Sequence, residues 1–112
     1  MAKDDNSKEE LVPVVCRSMG RPELKLALRS IRSQTYSNIE ILLIKAGHID
    51  LSEHASDCSS APITLIDLGK ALSRPEAANA GLEKAKGEFV TFLDEDDWID
   101  KNHIQTLVDA LR

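Results

Sequence analysis

Four short apolar runs punctuate the chain: Leu11 to Cys16, Ile39 to Ile44, Ile63 to Ile66 and Phe89 to Leu93. Each is brief and rich in β-branched or aromatic residues, which favours strands over buried helices. Pro13 costs the first run one backbone donor, a loss tolerated near a strand start. The segments between them carry a helical period. Pro22 suits a first helical turn, and Leu24, Ala27, Leu28 and Ile31 follow at i, i+3, i+4 and i+7, one apolar stripe. Ser73-Arg74-Pro75-Glu76 spells a capping box with proline inside the first turn. Ala77, Ala78, Ala80, Gly81, Leu82 and Ala85 continue it as a small-residue helix that can lie close to a sheet, with Gly87 as its stop. Asp100 is placed to cap a last helix, whose stripe is Ile104, Leu107, Val108 and Leu111. The polar, Ser-rich stretch 47–62 reads as a loop with room for a short helix. Strands alternating with helices predict an α/β domain: a mostly parallel, twisted sheet with helices on both faces.

Composition narrows this picture. A chain of 112 residues suits one domain with one core, and 42% apolar and 29% charged residues are ordinary for a globular protein. Residues 1–10 are polar, lack the apolar segment of a signal peptide, and are expected to be a disordered tail ahead of a domain spanning 11–112. The net charge of −5 speaks against a nucleic-acid partner and against an anionic membrane surface. No apolar run approaches membrane-spanning length, so no transmembrane segment is expected. Cys16 ends an apolar run and reads as a small core residue. Cys58 lies in polar sequence. Without a CxxC or Cys/His pattern a zinc site is not expected, and a reduced cytoplasmic protein is the plainer reading of two cysteines.

The candidate chemistry is concentrated in Asp94-Glu95-Asp96-Asp97, directly after the strand Phe89 to Leu93. Open α/β sheets bind ligands at the carboxyl ends of their strands. An Asp-x-Asp leaving a strand can aim both carboxylates at one point, and hard oxygen donors suit Mg²⁺ or Mn²⁺. The competing reading is a solvated acidic turn that caps the last helix. Strand and acid density together favour the metal site, with Asp94 and Asp96 as ligands and Asp97 and Asp100 as turn and cap residues.

Several ordered motifs carry a resemblance. Arg21-Pro22-Glu23-Leu24, Ala27-Leu28-Arg29-Ser30-Ile31 and Gln34-Thr35-Tyr36-Ser37-Asn38-Ile39-Glu40-Ile41 resemble the opening of family 2 glycosyltransferases. Asn79-Ala80-Gly81-Leu82 and Leu93-Asp94-Glu95-Asp96-Asp97 are similar to that family's Asn-x-Gly-Leu helix and Asp-x-Asp-Asp. The resemblance implies a GT-A fold, a Rossmann-like sheet. It also implies a nucleotide-diphosphate sugar as partner, Mn²⁺ or Mg²⁺ as cofactor, and inverting transfer to an acceptor hydroxyl. Asp94 would lie on the nucleotide side and Asp96 on the metal. Together with right-handed crossovers, it implies the strand order 3-2-1-4, with the Asp94 loop beside Ser18.

Departures from the family pattern matter as well. Lys45-Ala46-Gly47-His48 stands where the family has Asp-Asp-Gly-Ser, so a carboxylate for the nucleotide base is missing there. Lys45 is either a phosphate ligand or a solvated strand-end lysine. Arg17-Ser18-Met19-Gly20 replaces Pro-Thr-Tyr-Asn, and Arg17 and Arg21 offer planar donors to a diphosphate. Ala78 stands where the family has arginine, but Arg74 lies one turn upstream, near a helix N-terminus that suits an anion. The expected nucleotide-sugar residues are therefore Arg17, Ser18, Arg21, Arg74, Asn79 and Asp94. No catalytic residue is assigned. The family's domain continues well past its Asp-x-Asp, so the chain reads as a donor-binding half truncated after that motif. A non-catalytic binding or assembly module is the alternative, and an exposed sheet edge could join copies into a homo-oligomer.

Overall fold

A computed structural model describes residues 10–55, 61–86 and 89–111. The element order is β1 (Val12–Ser18), α1 (Leu24–Arg32), β2 (Ile39–Lys45), α2 (Ser52–Ala55), β3 (Ile63–Ile66), α3 (Arg74–Lys84), β4 (Thr91–Asp94) and α4 (His103–Leu111). The strands form one four-stranded sheet in the order β3-β2-β1-β4, and every pairing is parallel. This is the predicted architecture and the predicted order.

Two-residue alternation along the strands sorts their side chains onto two faces. On one face Val12, Val14, Cys16, Ile39, Ile41, Leu43 and Leu93 pack with Leu24, Ala27, Leu28 and Ile31 of α1 and Ile104 and Val108 of α4. On the other, Val15, Leu42, Ile44 and Ile66 pack with Leu72, Ala77 and Ala80 at α3. The central strands β1 and β2 are covered on both sides and are almost continuously apolar, as parallel strands are.

The predicted capping box is formed. Ser73 accepts the Glu76 N–H through its hydroxyl, and the Glu76 carboxylate accepts the Ser73 N–H at 2.9 Å. Gly81 lets α3 approach β1, because a Cβ at that position would stand 2.5 Å from Val15 Cγ1. The helix ends at Lys84; Gly87, expected as its stop, lies outside the described residues, as do Cys58 and residues 1–9 of the tail.

Several details differ from the sequence reading: β1 runs Val12–Ser18, β2 runs on to Lys45, and α1 starts at Leu24, so Pro22 precedes the helix instead of sitting in its first turn. β4 begins at Thr91 instead of Phe89 and extends through Asp94, so the first acid of the cluster is itself a strand residue. The last stripe is only half used: Ile104 and Val108 are buried, while Leu107 and Leu111 are exposed. α4 is fastened to the C-terminal end of α1, with Gln34 accepting the Ile104 N–H and Thr35 N–H donating to Lys101 O. That docking turns one flank of α4 inward, and no described element covers the other. Among the described residues no helix is long and apolar enough to cross a membrane.

Candidate functional site

The register of the sheet places the site. Arg17 on β1 lies opposite Asp94 on β4, at the carboxyl ends of two adjacent strands. By alternation both side chains project toward the α3 side. α3 begins at Arg74, whose Nη1 is 3.2 Å from Asp94 Oδ2. Both partners are largely exposed, so this ion pair adds little stability and exchanges readily for a ligand. Arg17 donates through Nη2 to Leu72 O at 3.5 Å, and its Nε is buried with no hydrogen-bond partner among the described residues. An unspent buried donor is costly unless something fills it.

Glu95 turns the opposite way. Leu93 is buried on the α1 side of the sheet, and the same alternation carries Glu95 inward, where it is 6% exposed. Its Oε1 accepts from the Ser18 hydroxyl at 2.7 Å and from Arg21 N–H at 3.1 Å; its Oε2 accepts from Met19 N–H at 2.8 Å. The Arg21 guanidinium lies 3.8 Å away. Ser18, wholly buried, also accepts the Gly20 N–H. The β1–α1 loop is thus wrapped around one carboxylate.

Beyond Glu95 the chain turns, with Asp97 N–H donating to Asp94 O at 3.1 Å. The turn brings the acids together: Asp94, Asp96 and Asp97 each offer a carboxylate oxygen, all within 4.8 Å of one another. Asp97, expected as a turn residue only, joins the group as well. Asp100, expected as the cap of the last helix, instead closes the turn before it: its carboxylate accepts the Asn102 N–H, and α4 begins only at His103. A small open cleft is lined by Arg17, Arg21, Arg74, Asp94, Glu95 and Asp96. A more apolar and roomier groove shares the walls Arg17, Arg74 and Asp94 and adds Val15, Ala78, Phe92 and Leu93.

Of the sequence candidates, Arg17, Arg21, Arg74, Asp94 and Asp96 line one cleft, and Ser18 lies behind it as a partner of Glu95. Asn79 does not join them. It lines a separate groove with Leu68, Lys70, Leu72, Glu76, Ala80 and Glu83. Lys45 is 3.5 Å from Asp67 on the neighbouring strand end, in a hollow shared with His48 and Lys70. The Gly69 N–H, first, and then the Lys45 charge hold the Asp67 carboxyl below its ordinary value. Cys16 sits beneath the site as a free, buried thiol. Burial, and then the charges of Glu95 and Asp94, push it up to about 12, so it stays protonated and serves as packing, not as a nucleophile.

A family model described as "Glycosyl transferase family 2" matches residues 4–112. The chain belongs to glycosyl transferase family 2. Its relatives include glycosyltransferase GlyA of Streptococcus pneumoniae, 37% identical over 86 residues, which cover 75% of this chain and 12% of GlyA. Among solved structures, TarS of S. aureus in complex with UDP superposes with a TM-score of 0.78 at 21% identity, covering 88% of this chain and 31% of that one. TarS has also been solved in complex with UDP-GlcNAc. The mannosyltransferase PcManGT of Pyrobaculum calidifontis, in complex with GDP-Man and Mn²⁺, gives 0.75 at 22% identity, covering 96% and 33%. These likenesses establish a GT-A-like fold. The chain spans a third or less of the length of each of these proteins.

Proposed function

We propose that this family 2 domain binds a nucleotide-diphosphate sugar through a divalent cation, as the donor-binding part of an inverting glycosyltransferase. The observation that carries this reading is the convergence of Arg17, Arg21 and Arg74 with Asp94 and Asp96 on one cleft at the carboxyl ends of β1 and β4. Carboxylates alone would suit a cation and arginines alone an anion. Their combination suits a cation and a polyphosphate held together.

The donor set fits Mn²⁺ or Mg²⁺. Asp94, Asp96 and Asp97 supply oxygen only, and all three are exposed, which leaves coordination positions open for phosphate. A cation held by these carboxylates would supply charge neutralisation of a leaving diphosphate. The chain's own residues do the rest. Arg17, which lines the cleft, offers its guanidinium to one phosphate edge. Arg74, whose ion pair with Asp94 is exposed, would offer a second fork from the N-terminus of α3, where the helix dipole also favours an anion. Arg21 closes the cleft from the β1–α1 loop. The similar proteins solved with UDP, UDP-GlcNAc and GDP-Man support a nucleoside diphosphate as the handle on the donor.

Calorimetric titration with UDP and with GDP, in Mn²⁺ and again in EDTA, tests the proposal. Binding that needs the metal is expected for at least one nucleotide. Equal affinity in EDTA, or no binding to either, would overturn it.

A further inference from the structure

Glu95 is the one acid of the cluster that the proposed metal does not use, and it is the buried one. Burying a carboxylate costs free energy unless donors surround it. Here the donors are the Ser18 hydroxyl, the Met19 and Arg21 N–H groups and the Arg21 guanidinium. All come from residues 18–21, the end of β1 and the loop that follows it, while Glu95 itself stands between Asp94 and Asp96. The loop is bent to reach it. Gly20 takes φ 84, a left-handed conformation that other residues adopt at a cost, and a Cβ there would stand 2.5 Å from Ile49 Cβ.

We infer that Glu95 is a positioning residue. It locks residues 18–21 against the acidic turn and so delivers the Arg21 guanidinium to the cleft, setting affinity for the diphosphate without setting affinity for the cation. The split follows from how the carboxylates are used. All three line the cleft, but Asp94 and Asp96 are exposed, whereas both oxygens of buried Glu95 are already committed to donors from residues 18–21. The Arg21 side chain is 61% exposed, so without the carboxylate beneath it nothing else in the described structure fixes its direction. This inference rests on the proposed binding of a nucleoside diphosphate.

The near-isosteric Glu95→Gln tests it. The amide keeps an acceptor for Ser18 and Arg21 but presents an NH₂ to the Met19 N–H and the guanidinium. Three measurements are made on wild type and variant: unfolding by circular dichroism, affinity for Mn²⁺ alone by electron paramagnetic resonance, and affinity for UDP and GDP at saturating Mn²⁺. Glu95→Gln is expected to remain folded, to hold Mn²⁺ as the wild type does, and to bind nucleotide about tenfold more weakly, the scale of one charged hydrogen bond. Arg21→Ala added to Glu95→Gln should cost little more than either alone, since both remove the same contact. A folded Glu95→Gln with wild-type nucleotide affinity, a parallel loss of Mn²⁺ and nucleotide, or fully additive losses would overturn the inference. Should Glu95→Gln fail to fold, Ser18→Ala decides instead. It removes one donor and leaves the charge, and about a threefold loss confined to the nucleotide is expected; unchanged affinity would overturn the inference. A wild type that binds neither nucleotide would refute the proposed function itself, a result distinct from any of these.

Discussion

Replacing Gly81 by alanine probes how closely α3 lies on the sheet that carries the site. The added Cβ would stand 2.5 Å from Val15 Cγ1, 2.8 Å from Cγ2 and 3.2 Å from Cβ. Carbon atoms rest at about 3.5–4.0 Å, so the shortfall is roughly 1 Å. Val15 is 3% exposed and pinned between β2 and β4, and a valine is stiff about χ1. Both of its methyl groups and its Cβ are in the way, so rotation alone gives no relief and α3 has to lift. Overpacking of this kind costs about 1–3 kcal/mol, and a clash with both methyl groups belongs in the upper half of that range. Alanine returns about 1 kcal/mol of helix propensity. The net expectation is a loss of about 1–2 kcal/mol, or roughly 4–8 °C in Tm for a domain of this size. Because α3 starts at Arg74, the same lift draws its guanidinium away from Asp94. Far-UV circular dichroism in urea and on heating is the assay, since Trp98 is 72% exposed and a poor reporter of packing. Gly69→Ala is the control: nothing lies within 4 Å, and only its φ of 79 opposes the change, at a cost of about 1–2 kcal/mol. A Gly81→Ala variant as stable as wild type, or more stable, would refute the close approach.

Ser73→Ala should cost about 1 kcal/mol through loss of the cap, read in the same unfolding assay. Glu76 is held below its ordinary 4.5, first by the Ser73 N–H; a carboxyl lowered by folding stabilises above its ordinary value and loses that contribution as pH falls through the lowered one. Glu76→Gln should therefore lower Tm at neutral pH, with the gap closing toward acid. Arg74→Ala should leave stability within about 0.5 kcal/mol, as its ion pair is exposed, yet weaken UDP or GDP in calorimetry. The 112-residue chain, given a radiolabelled nucleotide sugar and a panel of acceptors, should show no glycosyl transfer, because among the described residues no carboxylate beyond the acidic group lines the cleft to serve as base. Metal-dependent transfer would refute that expectation.

Much of the fold was legible because its signals are local. The stripe of α1, the capping box of α3 and the β-branched runs each declare themselves within a few residues, and right-handed crossovers leave few orders for four parallel strands. The acidic group was legible as chemistry because four acids follow an apolar strand. Its inner division was harder to see. Alternation through Leu93, Asp94 and Glu95 already implies that Glu95 points inward with Leu93, but this needs β4 to run on to Asp94, and the apolar run stops at Leu93. Asp97 joins the group only through the turn that returns it to Asp94, a geometry composition does not specify. Asn79 illustrates the opposite limit. Its motif match is good, yet its face of α3 is set by Ala77, Ala80 and Gly81 taking the sheet side, which leaves Asn79 away from the cleft. The exposure of Leu107 and Leu111 depends on how α4 docks on α1, a tertiary fact with no signature in the stripe.

The central claim, one cation and one diphosphate held together by the β1 and β4 strand ends, is tested most directly by anomalous diffraction from crystals grown with Mn²⁺ and UDP or GDP. The account expects one strong Mn²⁺ peak at direct bonding distance from Asp94 and Asp96 oxygens, with the diphosphate against Arg17 and Arg74. A peak elsewhere, or a nucleotide bound with no Mn²⁺ between it and those carboxylates, would contradict it.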